Sequence, residues 1–252
     1  MRRIAVRLEY HGGGFVGWQR QATGVSVQAV LEAAAARLNA GQPTPCVAAG
    51  RTDAGVHATG QVAHLDLPES HSLEAIRDAL NFHMKPHAVA VLQAAVVPAE
   101  WSARFSAIGR AYRYVIHTRR ARLVLDRGLA WHVDHPLDTA AMAEAALLLL
   151  GRHDFTSFRA SACQAKSPVR TLDRLEVTQA GETVTIHAAA RSFLHHQVRN
   201  MVGTLKLVGE GRWPPARVAA ALAARDRAAA GPTAPPEGLY LTGVVYPEDP
   251  FQ

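Results

Sequence analysis

The chain has 252 residues, 48% of them apolar and 19% charged. That is enough sequence for one large domain or two of ordinary size, and a composition that excludes long disordered tracts. The formal net charge of +6 and a pI of about 9.8 favour a polyanionic partner, RNA or DNA ahead of an anionic membrane surface.

Lysine occurs only at 85, 166 and 206 among the 27 basic residues. Arginine is the better residue for bidentate phosphate contacts and for stacking on bases, although genomic base composition would produce the same bias in so alanine-rich a chain. Cys46 and Cys163 are single and far apart, a spacing that matches neither a disulfide framework nor a paired-cysteine zinc site and suits a reducing cytosol. The N-terminus runs straight into an alternating pattern, and no apolar run approaches the about 18 residues of a membrane span. A cytoplasmic protein with no membrane partner is expected.

In chain order, Ile4, Val6, Leu8 and Tyr10 alternate as in a half-buried strand. Gly12-Gly13-Gly14-Phe15-Val16-Gly17 formally matches the Gly-x-Gly-x-x-Gly dinucleotide fingerprint, but no helix opens at the last glycine, so a phosphate would lack its helix N-terminus. Ser26 is a good N-cap for a helix carrying Val27, Val30, Leu31, Ala34 and Leu38, closed by Gly41. Residues 44–50 read as a short strand and 61–67 as the next. Ser72 caps a second helix with Leu73, Ile76 and Leu80 on one face, and 88–97 is a buried strand closed by Pro98. The order is βαββαβ.

The second half repeats that order with insertions. Tyr112, Tyr114 and Ile116 alternate as a strand, 118–136 is an insertion, and 140–150 is a helix. Strands follow at 172–178 and 183–190 with Gly181 between them. Leu194, Val198, Met201, Val202, Leu205 and Val208 then form the clearest amphipathic helix, ending at Gly209. An alanine-rich helix at 216–226, a Gly/Pro-rich loop and a strand at 240–246 complete the chain. The fold expected is α+β: two ferredoxin-like βαββαβ units side by side, mainly antiparallel, with a cleft between them that would favour binding. The expected domains are 1–107 and 108–252.

The stretch Gly50-Arg51-Thr52-Asp53-Ala54-Gly55-Val56-His57-Ala58 joins two strands of the first unit and puts a carboxylate, a guanidinium and an imidazole between glycines. Glycine permits positive φ and close approach to a ligand, which suggests a shaped functional loop. An ordinary tight turn with Asp53 bonded to its own backbone fits the same residues.

This stretch, with Thr59-Gly60-Gln61-Val62 after it, resembles the signature of the tRNA pseudouridine synthase A family. The resemblance extends through Gly17-Trp18-Gln19-Arg20-Gln21, Ala103-Arg104-Phe105-Ser106-Ala107, Arg110-Ala111-Tyr112-Arg113-Tyr114 and Asp154-Phe155-Thr156-Ser157-Phe158. It continues through residues 193–203 and Glu237-Gly238-Leu239-Tyr240-Leu241. It implies the pseudouridine synthase fold and isomerisation of uridine to pseudouridine in the tRNA anticodon stem-loop, at tRNA positions 38, 39 and 40, with base flipping, no cofactor and no metal. It also implies a homodimer whose two subunits contact the tRNA.

By that resemblance Asp53 is the catalytic residue, adding to C1′ or removing the neighbouring 2′ proton; an aspartate is ionised by default at neutral pH. Arg199 is the candidate guanidinium to hold Asp53, against a phosphate contact or a solvated helix face. Tyr112 resembles the tyrosine that stacks on the target base, although beside Tyr114 and Ile116 the residues alone place it in a core. Arg51 resembles the arginine that helps displace the target nucleotide, against a plain phosphate contact. His57 reads as a hydrogen-bonding member of the loop rather than a base.

Thirteen histidines raise a metal site, yet His132 with His135 and His195 with His196 lack zincin spacing. The last two, if helical, would point about 100° apart. Two departures from the family pattern, Tyr10-His11-Gly12 and Asn81-Phe82-His83-Met84-Lys85-Pro86, bear on local RNA contacts. A silent RNA-binding protein and a dinucleotide-dependent enzyme are the competing classes. The first has little use for an acid between Arg51 and His57, and the second needs glycines 12–17 in a context they lack.

Overall fold

The alternation of Ile4, Val6, Leu8 and Tyr10 becomes strand β1 (Arg2–Tyr10), and all four side chains are buried. The computed structural model describes residues 1–252. Helix α1 (Val27–Leu38) buries Val27, Val30, Leu31, Ala34, Ala35 and Leu38, one stripe at helical spacing, and Ser26 Oγ accepts from Ala29 N at 3.1 Å. The short β2 (Val47–Ala48) leads to β3 (His57–Leu67). Ser72 caps α2 (Leu73–His83) through Ala75 N, and β4 (Val89–Val97) follows. β1 runs antiparallel to both neighbours: Ile4 faces Leu65 of β3 on one side and Val96 of β4 on the other. The βαββαβ order is as the spacing predicts, and α1 lies against α2.

The chain gathers into two units, one of Met1–Arg110 with Tyr240–Gln252 and one of Ala111–Leu239. The second holds most of β5 (Gly109–Thr118), β6 (Trp131–Val133), α3 (Thr139–Leu147), β7 (Gly151–Asp154), β8 (Val169–Ala180), β9 (Thr183–Ala190), α4 (Gln197–Gly209) and α5 (Ala216–Ala224). Its strands lie in the order β5-β9-β8-β7. β8 and β9 form an antiparallel hairpin turned at Gly181, whose φ is +58°. The mixed α/β, mainly antiparallel architecture is the α+β class expected.

β6 arises inside the segment expected as a bare insertion, because Trp131, His132 and Val133 find parallel partners in Ile116, His117 and Thr118. α4 begins at Gln197, after Leu194. His196 has φ +62°, a left-handed residue that turns the chain before the helix starts, and Leu194 N donates to Gln197 Oε1 at 2.8 Å. His195 and His196 are therefore not helical neighbours about 100° apart; their rings sit with centroids 4.0 Å from each other.

α4 is buried on nearly every side. A Cβ on Gly203 would fall 1.8 Å from Pro232 O, so the Gly/Pro-rich loop lies directly on the helix backbone. Arg227 donates to Asn200 Oδ1 (3.1 Å) and Gly231 O (2.9 Å), Thr204 Oγ1 accepts from Gly231 N (2.9 Å), and Asn200 Nδ2 donates to Phe158 O (2.8 Å). These bonds fill the polar valences of a buried helix face.

The final strand, β10 (Leu239–Val245), lies parallel to β3, with Tyr240 opposite His57 and Leu241 opposite Ala58. That pairing explains why β3 starts at His57, four residues before the sequence pattern suggests: its first ladder partner comes from the far end of the chain.

Candidate active site

The β2–β3 connection, 49–56, is mounted on the first unit through its backbone. Trp18 N donates to Thr52 O at 3.0 Å, and Gln61 Nε2 to Gly50 O at 2.8 Å. Ala49 N bonds Val62 O at 2.8 Å where the loop leaves the sheet. Thr52 is buried, and its Oγ1 lies 2.8 Å from the Tyr10 hydroxyl, with Gln61 Nε2 a further 3.4 Å donor to that hydroxyl. Burial pushes the Tyr10 phenol up to about 12, so it serves as a neutral hydrogen-bonding group at physiological pH. Val56 N donates to Asp53 O at 3.1 Å, closing a tight turn through Gly55 at φ +79°.

The glycine-rich segment that fails as a dinucleotide fingerprint has its use here. Gly17 has φ +107°, and a Cβ on it would lie 2.7 Å from Thr52 O and 3.1 Å from Ala54 N. A Cβ on Gly12 would lie 2.2 Å from Val56 O. Both glycines let 12–17 press against the backbone on either side of Asp53. Gly12 N donates to His57 Nδ1 at 3.0 Å, and the His57 ring stacks on Tyr240 at 4.7 Å. Because Nδ1 accepts, the neutral ring carries its proton on Nε2, and His57 is tied into the frame of the loop.

Arg51 and Asp53 thus stand on one fixed connection, with His57 at the start of β3 that ends it. Arg51 is exposed, Asp53 half-buried and His57 buried. Tyr10, Thr52, Gln61, Gly12 and Gly17 hold that connection; in the sequence they stand only as members of motifs, with no role in positioning the loop. The clustered glycines are the available signal: they fail as a dinucleotide fingerprint but still mark a close backbone approach.

Tyr112 and Arg199 belong to the second unit. Tyr112 and Tyr114 share a face of β5 at strand period. Tyr114 is fully buried and donates to Pro235 O at 2.8 Å, while burial raises its phenol far above the ordinary range. Tyr112 remains half-exposed and meets Phe193 edge-on at 5.2 Å. Arg199 lies on α4, half-buried, with Nε donating to Ala234 O at 2.8 Å and its own carbonyl accepting from Ala234 N at 3.1 Å.

Cys46 and Cys163 are free thiols; burial and nearby Glu32 push the Cys46 thiol up, away from thiolate chemistry. His64 is lowered by burial and by Arg3, and its Nδ1 accepts from Ala103 N at 3.1 Å. At the two departures, His11 accepts from Gly13 N, while Met84 is fully buried and Asn81 exchanges two bonds with the Val91 backbone.

A sequence model of the tRNA pseudouridine synthase family matches residues 8–106 and 145–247. The chain belongs to that family. Proteins called tRNA pseudouridine synthase A are similar along the whole length: 70% identical in Acidiphilium cryptum over 100% of this chain and 99% of the relative, and 61% in Paramagnetospirillum magneticum over 98% and 96%. A third, in Gluconobacter oxydans, is 55% identical over 100% and 92%. This tRNA pseudouridine synthase family member is an isomerase acting on uridine in tRNA. Arg51, Asp53 and Arg199 fall inside the family match; Tyr112 falls outside it, within the full-length alignments. No helix of the synthase is long and apolar enough to cross a membrane.

Proposed function

We propose that the enzyme converts uridine to pseudouridine in the anticodon stem-loop of tRNA, with Asp53 as the catalytic residue acting on a flipped-out nucleotide and no cofactor. The observation that supports this most is the mounting of Asp53: a carboxylate on a loop whose backbone is fixed by Trp18, Gln61, Gly12 and Gly17, in a chain of this family. A positioned carboxylate is worth far more than a mobile one. In the reaction the C1′–N1 bond breaks, the base turns over, and a C1′–C5 bond forms. N1 takes up a proton and C5 loses one, so the product is an isomer. Asp53 serves either as nucleophile at C1′ or as base at the 2′ carbon.

In this reading Tyr112 supplies the ring on which the extruded base stacks, Arg51 helps displace the nucleotide, and Arg199 orients the acid. Tyr112→Leu, which removes the ring, is expected to lower turnover at least about tenfold, and Tyr112→Phe, which keeps it, to retain most of the wild-type rate; normal single-turnover rates in the Leu variant would return Tyr112 to a purely structural role. Arg199→Lys keeps the charge but not the fork. It should lose at least about tenfold in turnover with little change in melting temperature, and full activity would remove Arg199 from the site.

We also infer a cytoplasmic homodimer whose subunits share the tRNA, a reading supported by the basic charge, the free thiols and the family relationship. The direct test in cells is pseudouridine mapping. tRNA from a strain lacking the gene should carry unmodified uridine at anticodon stem-loop sites that are pseudouridine in the parent, and loss confined to other arms would refute the assigned position.

A further inference from the structure

Residues 102–106 form a turn that is over-determined by hydrogen bonds. Ser106 N donates to Ser102 O at 2.9 Å, and Ser102 N to Ser106 Oγ at 3.0 Å. Ala103 is wholly buried in a cluster with Ala49, Val62, Ala107 and Tyr246; its N–H is held by His64 and its carbonyl accepts from Tyr246 OH at 2.8 Å. Arg110 completes the mount: Nη2 donates to both Arg104 O and Ala49 O at 2.8 Å, and Nη1 to Ala107 O at 3.2 Å. One guanidinium nitrogen thereby joins this turn to the residue from which the Asp53 loop departs.

On this rigid mount stands Phe105, 79% exposed, with the Arg104 guanidinium 5.4 Å from its ring centroid. A single exposed apolar side chain is ordinary on a protein surface. A phenyl ring that contributes nothing to the core, on a turn with so many fixed bonds and beside an exposed arginine, calls for a ligand. Fixed aromatic faces with an adjacent guanidinium stack unpaired bases and attract the neighbouring phosphate.

We propose that Phe105 and Arg104 form a stacking platform for an unpaired base of the substrate RNA, flanking the target uridine. This rests on the reading of the protein as an RNA isomerase centred on the Asp53 loop. The +6 charge of the chain and the exposed Arg104 favour RNA over a second protein surface, to which Phe105, Ile108 and Val245 would otherwise offer exposed apolar side chains.

The test compares wild type, Phe105→Ala, Phe105→Leu and Phe105→Trp as full chains, on a tRNA transcript tritiated at uridine C5 and on a fully paired RNA duplex. Stacking predicts that Ala and Leu weaken tRNA affinity about tenfold or more, that Trp restores it, and that duplex affinity, melting temperature and solution mass do not change. Leu binding tRNA as wild type does, equal losses on the duplex, or a change of solution mass in the Ala variant would overturn the platform. Wild-type tritium release, measured on the same transcript, reports on the isomerase reading separately. Its absence would refute that reading while the affinity comparison still judges the platform.

Discussion

Asp53→Asn is expected to bind tRNA normally and to release tritium from uridine C5 at least about 10³-fold more slowly than wild type. The substitution keeps the shape of the side chain and removes the charge that both chemical routes need, and positioned proton transfer alone contributes about 10²–10⁴-fold. Backbone bonds and the side chains of Thr52, His57 and Gln61 fix the loop. The melting temperature should therefore stay within about 2 °C of wild type. Stopped turnover with intact binding separates a catalytic carboxylate from a turn-forming one. An Asn variant of undiminished rate would return Asp53 to the structural role that an isolated Asp-Ala-Gly turn suggests.

Gly17→Ala carries the second large effect, although Gly17 has no reactive group. Its φ of +107° is strained for any L side chain, and the added Cβ would lie 2.7 Å from Thr52 O. The strain costs about 1–3 kcal/mol. Relief requires the 12–17 segment and the backbone around Asp53 to move apart. A displacement near 1 Å at a catalytic group can cost about 10²-fold, so turnover should fall by about that factor at temperatures where the variant remains folded. Measuring kcat and thermal unfolding together distinguishes the two: a loss of stability with wild-type kcat would mean that the segment does not position Asp53.

Local pattern carried most of the fold. The alternation in β1, the Ser26 and Ser72 caps, the stripes of α1 and α2 and the Gly181 turn each depend on neighbours a few residues away, and each formed as the spacing suggests. What the sequence did not reveal depends on contacts distant along the chain. β3 begins early because β10 pairs with it, and β6 exists because the last residues of β5, Ile116 to Thr118, pair with it. His195 and His196 leave the helical pattern because a left-handed residue precedes α4.

The same division holds at the site. Asp53, Arg51 and His57 were legible as a cluster because they are adjacent in sequence. The work of Gly12, Gly17, Tyr10 and Gln61 was not, since the first three meet the loop from 35 or more residues away along the chain and Gln61 reaches back to Gly50 from within β3. The glycines at 12–17 were visible as a signal, and only their distance to Thr52 and Val56 shows what they accommodate.

The most direct measurement is single-turnover reaction of the wild-type chain with tRNA tritiated at uridine C5, in EDTA and without added cofactor, followed by nucleoside analysis. Tritium should appear in solvent in step with pseudouridine at an anticodon stem-loop position, and Asp53→Asn should yield neither. Tight tRNA binding by wild type with no tritium release would contradict the assignment.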